Sequence, residues 1–354
     1  MDPGDARVSI PTMATLTDLS ELPDGLVDIG EAEDGYVFSD AERRRVCHAL
    51  TGQACEASAE VHQRITEYVI PPKWTDVWIA SDPRAYLQVT GRDKKGRKQY
   101  IYHPDYVAFR QRLKFARVAG FAERLPALRR EIAVQLRRRT WDRERMLALM
   151  VHLLDQTKLR IGNERYLARN KTFGLTTLRR KHLKRQPGGL ALDFKGKSNK
   201  FRHVAVEDKR LRRLLREVSD LPGYRLFSYR TSDGKREELH SQDVNDYLRE
   251  HLGEGYSAKD FRTWGGTSLA VKFYPDILAE VEERGKGKPH KRVVKAVAKA
   301  LGNTVAVCRE YYIHPAVLAA AKSRELPRAP WSEDGDDEAL ADYEVFTLEL
   351  IGGA

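Results

Sequence analysis

Cysteine is scarce in this chain: Cys47, Cys55 and Cys308 are the only three in 354 residues. None shares a Cys-x-x-Cys spacing, so neither a zinc site nor a disulfide framework is indicated, and a reducing compartment fits. There is no GxxxxGK[ST] phosphate loop, which argues against ATP-driven work. There is no HExxH pair, and the acids do not gather into a recognisable magnesium cluster. No apolar run approaches the roughly 20 residues that span a bilayer. The first forty residues lack the basic-then-apolar pattern of an export signal. A soluble, cytoplasmic protein is expected.

Basic residues are all but missing from both ends. Residues 1–41 hold ten acids and one base, Arg7, and residues 331–354 hold eight acids and no base. The stretch 42–330 therefore carries 61 bases against 33 acids, an excess of 28 in a chain whose net charge is only +11. So basic a body points to nucleic acid, because neutralising phosphates releases counterions and strengthens association. An anionic membrane surface and a merely solvated exterior are the competing readings. Length and apolar content suit a sizeable core, divided between two domains.

Residues 1–27, rich in Pro, Asp, Thr and Gly without periodicity, read as a loose leader. A β-rich domain is expected over 28–108. It contains 36-YVFSD-40, a short charged helix 41-AERRRVCHAL-50, and strands at 76-DVWIAS-81 and 86-YLQVTGRD-93. The turn 94-KKG-96 then leads into 97-RKQYIYH-103 as a hairpin. Helical periodicity takes over in 107-VAFRQRLKFARVAGFAERL-125 and 141-WDRERMLALMVHLLDQTKLRIG-162, where Met146, Leu149, Met150, Leu153 and Leu154 share a face. Strands return at 176-TTLRRKH-182, 189-GLALDFK-195 and 201-FRHVAV-206, the last two joined by 196-GKSN-199. Helices follow at 207–218, 241–252, 260–284 and 291–322. The expected class is α+β: a small β-rich N-terminal domain and a larger, mainly helical domain over 109–330 with a three-stranded β insertion. An acidic tail, 331–354, would be a short appendage.

Four stretches could act on a phosphodiester with side chains alone supplying the positive charge. Arg160, in 158-KLRIGNERY-166, stands in an apolar context at a helix end, and a guanidinium can grip two phosphate oxygens at once. Lys197, in 194-FKGKSNK-200, rides a hairpin tip from which a flexible ammonium can reach a groove or release a proton. Arg262 opens a helical run in 259-KDFRTWGGT-267. The fourth stretch, 301-LGNTVAVCREYYIHP-315, holds Asn303 and the adjacent phenols Tyr311 and Tyr312. Each also has an ordinary reading: a helix-end cation, a solubilising lysine, a carboxylate's partner, a cap, a packed tyrosine. In 97-RKQYIYH-103, alternation sets Arg97, Gln99 and Ile101 on one face and Lys98, Tyr100 and Tyr102 on the other. That mixture suits groove and backbone contacts, or a half-buried strand with solvated tips.

Six motifs occur in order: 71-PPKWTDVW-78, 91-GRDKKGRKQYIYHP-104, 159-LRIGNERY-166, 196-GKS-198, 259-KDFRTWGGT-267, and LGNT from 301 with YIHP to 315. Together they resemble the type IB DNA topoisomerases, in the compact poxvirus-like branch found in bacteria, across residues 30–325. The resemblance implies the tyrosine recombinase/topoisomerase IB-like catalytic fold. It assigns Tyr312 as nucleophile, Tyr311 as its neighbour, and Arg160, Lys197 and Arg262 as catalytic cations. Asn303 stands where poxviral and eukaryotic nuclear members carry histidine, so it is read as a hydrogen-bond donor and not a proton carrier. Ser198 stands where the poxviral branch has an acid, and that acid's role does not transfer. Arg97, Lys98, Gln99, Tyr100, Tyr102, Tyr166 and Lys259 are implied DNA contacts.

The implied activity is relaxation of positive and negative supercoils through a 3′-phosphotyrosyl link, with no cofactor, ATP or metal required. The implied partner is double-stranded DNA, held by a monomer whose two domains close as a clamp. Its implied place is the nucleoid. Two rivals stay open. A tyrosine recombinase shares the nucleophile and cations but usually has His-x-x-Arg where this chain has 259-KDFR-262, and its N-terminal domain is helical. A DNA-binding protein without catalysis would not need the complete set of five.

Overall fold

The computed structural model describes residues 22–29, 35–38, 46–49, 51, 54–55, 59–187, 189–332 and 338–353. The chain divides into two compact units, Met1–Ala116 and Arg117–Ala354.

The first unit is built on a six-stranded antiparallel sheet. Its strands are β1 (Gly35–Phe38), β2 (Val46–His48), β3 (Ala54–Cys55), β4 (Thr75–Ala80), β5 (Leu87–Arg92) and β6 (Lys98–Tyr102), in the spatial order β3-β2-β1-β4-β5-β6. One helix, α1 (Ala59–Glu67), lies between β3 and β4 in sequence. Period-two alternation along β4 explains the burial on both faces. Val77 and Ile79 join Val89, Ile65 and Trp74 on one side, while Trp78 and Ala80 join Ala85 and Leu87 on the other. Arg64 of α1 donates to the carbonyls of Ala80 and Ser81, at 2.6 and 3.0 Å, where β4 ends. The helix expected over 41–50 is overturned at its described end: Val46–His48 is a strand whose Cys47 pairs with Val37. All three residues find a partner on β1, and Val46 and Cys47 a second on β3, so sheet pairing wins over local helix propensity. Residues 41–45 lie outside the described residues, as do 1–21 of the expected leader.

The helix α2 (Pro104–Gln135) includes the boundary residues Ala116 and Arg117, and α3 (Arg143–Thr157) is the central element of the second unit. Met146 to Val151, with Leu153 and Leu154, have no exposed surface. The single apolar face expected of α3 is therefore too narrow a description; its middle, Met146 to Val151, is buried on every side. Next come α4 (Glu164–Asn170) and two 3-10 turns, Leu175–Thr177 and Arg180–His182. The strand expected over 176–182 is absent there, because Thr177 bonds back to Gly174 and His182 Nδ1 accepts the Arg179 N–H at 3.0 Å. Such local side-chain bonds compete with a ladder. The β insertion is β7 (Leu183–Gln186), β8 (Gly189–Lys195) and β9 (Phe201–Val206), in that spatial order.

After α5 (Lys209–Asp220) comes a hairpin that sequence periodicity did not signal, β10 (Ser228–Arg230) with β11 (Arg236–Glu238). Then follow α6 (Ser241–Leu252) and α7 (Asp260–Glu283). The one helix expected over 291–322 is three: α8 (Pro289–Leu301), α9 (Val305–Tyr311) and α10 (Pro315–Ser323). Gly302, at φ 63°, ends α8; the Thr304 hydroxyl accepts the Val307 N–H at 3.3 Å to start α9; Pro315 starts α10. These breaks place Asn303 and Tyr312 at helix ends. The chain closes with α11 (Asp342–Gly352). Mixed α and β structure of the expected class is thus observed. Among the described residues no helix is long and apolar enough to cross a membrane.

Candidate active site

Four of the five candidate side chains converge around the ends of α3, α7, α8 and α9. Arg160 follows the left-handed cap of α3, in a segment whose carbonyls at Arg160 and Ile161 accept the N–H groups of Leu175 and Thr176 at 2.9 and 2.8 Å. Gly162, at φ +89°, lets that segment approach Gly174: a Cβ on Gly162 would come within 2.9 Å of the Gly174 carbonyl carbon. Arg262 lies in the first turn of α7 and is 3% exposed. Tyr312 caps the C-terminus of α9, its N–H bonded to the Cys308 carbonyl at 3.0 Å. Its backbone presses on Gly266 of α7. A Cβ there would lie 3.0 Å from Tyr312 Cβ and closer still to the Tyr312 carbonyl oxygen.

The polar atoms are arranged to hold positive charge without neutralising it. Arg262 donates to three uncharged oxygens: Nη1 to the Lys158 carbonyl, and Nη2 to the Leu301 carbonyl at 2.9 Å and Asn303 Oδ1 at 3.3 Å. Arg160 Nη2 also donates to Asn303 Oδ1. With Oδ1 occupied by two guanidiniums, the buried Nδ2 of Asn303 finds no partner among the described residues, and neither does Arg262 Nε. Arg262 Cζ stands 5.2 Å from the centre of the Tyr312 ring. Burial, then the charge of Arg262, pulls Arg160 down to about 10, still cationic at neutral pH. Burial also lowers Arg262, opposed by the Tyr312 phenol. The adjacent tyrosine differs: Tyr311 is 40% exposed, and a hydrogen bond to Glu310, then burial, raises its phenol. Burial pushes the Cys308 thiol up to about 11, leaving it protonated.

Lys197 is exposed on the 3-10 turn Lys197–Asn199 that joins β8 to β9. It shares the lining of a small cavity with Arg160, Arg202 and Arg262. Arg202 is a cation that sequence reasoning missed. It lies on β9 opposite Phe194, donates to the Ala300 carbonyl at 3.0 Å and packs against Gly302, beside Asn303. Burial, then Arg262, lowers its pKa. Its position just beyond the Lys197 turn, on the strand that returns from it, was the available signal.

In the first unit, Lys98, Tyr100 and Tyr102 are exposed along β6, the two rings stacked at 6.0 Å. Lys98 Nζ sits 5.8 Å from the Tyr100 centroid. Tyr86 and Tyr106 extend the aromatic surface, 6.2 and 5.4 Å from Tyr102. Arg97 and Gln99 are both drawn to Asp93, whose carboxyl the Arg97 hydrogen bond holds down at about 2. Lys259 is exposed at the N-cap of α7. The backbone of Tyr166 belongs to α4, and its side chain lies outside the described residues. Among the described residues no group of three or more His, Cys, Asp or Glu side chains could hold a metal ion.

Comparison with known proteins bears on the same region. The family model described as eukaryotic DNA topoisomerase I, catalytic core, matches residues 104–326. A second, bacterial DNA topoisomerase IB, N-terminal domain, matches residues 48–93. DNA topoisomerase 1B of Acanthamoeba polyphaga mimivirus is 32% identical over 253 residues, covering 70% of this chain and 74% of that protein. DNA topoisomerase 1B of Vaccinia virus (strain Copenhagen) is 26% identical over 268 residues, covering 73% of this chain and 81% of that protein. Among solved structures, XerH site-specific recombinase bound to difH substrate is 17% identical with a TM-score of 0.32; the match covers 53% of this chain and 48% of that one. The catalytic-core match takes in every residue gathered around Arg262, and the chain belongs to the type IB DNA topoisomerases, a family of DNA-binding isomerases.

Proposed function

We propose that this chain relaxes positive and negative supercoils by cutting one strand, letting the duplex swivel and resealing it. Tyr312 Oη attacks the scissile phosphorus and releases its proton to water. The P–O5′ bond breaks, and the 5′-oxygen takes a proton from Lys197. The product is a 3′-phosphotyrosyl link and a free 5′-hydroxyl. One phosphodiester has replaced another, so the reverse attack by the hydroxyl reseals the strand without ATP. A phenol is a weak nucleophile at neutral pH until nearby positive charge and exclusion of water favour its ionised form. Arg160 and Arg262 would hold the non-bridging oxygens, and Asn303 Nδ2 would donate to one of them as charge develops. Arg97, Lys98, Gln99, Tyr100, Tyr102, Tyr166 and Lys259 would track the duplex, held by a monomer in the cytoplasm, with chain cations in the role a metal plays elsewhere.

One observation supports this reading above the rest: two arginines share a single amide oxygen beside the Tyr312 ring, and the amide's nitrogen is left buried with no partner among the described residues. Buried donors are normally satisfied, and a phosphate oxygen would satisfy this one. The test is relaxation of a supercoiled plasmid carrying no recombination site, in chelator and without nucleotide. Wild type and Tyr311→Phe should relax it, and Tyr312→Phe should not. Recombinant junctions as the main product, or full activity of Tyr312→Phe, would overturn the proposal.

A further inference from the structure

The acidic C-terminal segment, expected from sequence to be an appendage, reaches into the core. Trp331 donates to the Val271 carbonyl at 3.2 Å and packs on Phe346 at 5.7 Å. Glu344, on α11 and beyond the end of the catalytic-core match at residue 326, is 2% exposed. Its carboxylate accepts Arg129 Nη1 at 2.9 Å, Arg129 Nη2 at 3.1 Å and the indole N–H of Trp264 at 3.1 Å. The far edge of Arg129 holds Asp155, Nε to Oδ2 at 2.8 Å, and Lys158 Nζ meets Asp155 Oδ1 at 3.0 Å.

Both ends of this chain of contacts arrive at Arg262. Trp264 is two residues beyond it on α7, and the Lys158 carbonyl is one of the three oxygens that orient its guanidinium. Lys158 is itself confined: φ is 52°, and its stem packs against Gly265, where a Cβ would come within 2.7 Å of Lys158 Cδ. The charges explain the need for Glu344. Two carboxylates and two cations balance, one layer behind Arg262, so the arginine can be oriented by neutral oxygens alone and keep its charge for a phosphate. Without the charge of Glu344, Arg129 and Lys158 would compete for Asp155. A buried excess of positive charge would then stand behind a third cation, and the Lys158 carbonyl would shift with its side chain.

We infer that Glu344 is a positioning residue for the cleavage reaction, acting through Arg129, Asp155 and Lys158 to fix Arg262; the inference rests on the proposed cleavage chemistry. The experiment uses the full chain and a duplex that traps the covalent adduct, reading the first-order cleavage rate at saturating enzyme and the DNA dissociation constant. Glu344→Gln should slow cleavage by about 10- to 100-fold, the scale of a sub-ångström to ångström misplacement, with the dissociation constant unchanged. In an Arg262→Ala background the same change should cost no more than about twofold, because the residue it acts through is gone. Lys158→Met, which keeps the stem and removes the ammonium, should behave alike and carries the test if Glu344→Gln does not fold. No slowing in the wild-type background, or an equal loss in both, overturns the inference. A wild-type chain that forms no adduct overturns the proposed chemistry and this inference with it.

Discussion

Asn303 separates two jobs that an alanine scan would merge, and Asn303→Asp is the perturbation that does so. The change keeps an oxygen where Oδ1 now accepts from Arg160 and Arg262, so the guanidiniums stay aligned. It replaces the Nδ2 donor, which has no partner among the described residues, with a second, anionic oxygen. Losing one preorganised donor to a developing anion costs about 10²- to 10³-fold in rate. Placing a carboxylate about 4 Å from a phosphate adds roughly 4 kcal/mol of repulsion at an effective dielectric of 20. Tighter pairing with the two arginines, about twice the strength of a neutral bond, offsets part of that. Asn303→Asp should therefore cleave at least about tenfold more slowly than Asn303→Ala, a difference of about 1.4 kcal/mol. Asn303→Ala should itself be less impaired than Arg262→Ala. Single-turnover cleavage of a trapping duplex, run at saturating enzyme, reads all three. An Asn303→Asp enzyme as fast as wild type would mean that the side chain serves only as an acceptor, and the donor argument would fail.

Gly266→Ala should abolish detectable cleavage while leaving DNA affinity within about twofold, since the added methyl displaces the Tyr312 backbone and no proposed DNA contact; normal cleavage would show that Tyr312 is not held there. Stability should fall on mild acidification. Burial lowers His182 and His314 to about 4 from an ordinary 6.5. Between those values the unfolded chain takes up protons that the folded chain refuses, so the stabilisation present above 6.5 is lost as pH falls toward 4. Urea midpoints at about pH 7 and about pH 5 check the sign, and a midpoint that rises on acidification contradicts it.

How much of this was legible in the sequence depended on whether the deciding force was local. α6 and α7 follow the expected 241–252 and 260–284 closely, because periodicity and the Gly253 stop are local signals. The breaks after Leu301 and Tyr311 are also written locally, in Gly302, Thr304 and Pro315. β2 was missed because its three residues take their structure from pairing with the neighbouring strands β1 and β3 and not from their own helix propensity. Arg160, Arg262, Asn303 and Tyr312 could be nominated one by one, but not the sharing of one amide oxygen, which tertiary packing decides. Glu344 was hidden by its acidic surroundings. The apolar residues around it, in 345-VFTLELI-351, marked the segment as one that packs.

The central claim is that a single phenol, Tyr312, becomes joined to the 3′ end of a cut strand. It is tested most directly by trapping the enzyme on labelled duplex, digesting the adduct and sequencing the modified peptide. The account requires the label on Tyr312 through a 3′-phosphate, with the opposite end carrying a free 5′-hydroxyl. A label on Tyr311, on any other residue, or through the 5′ end would contradict it.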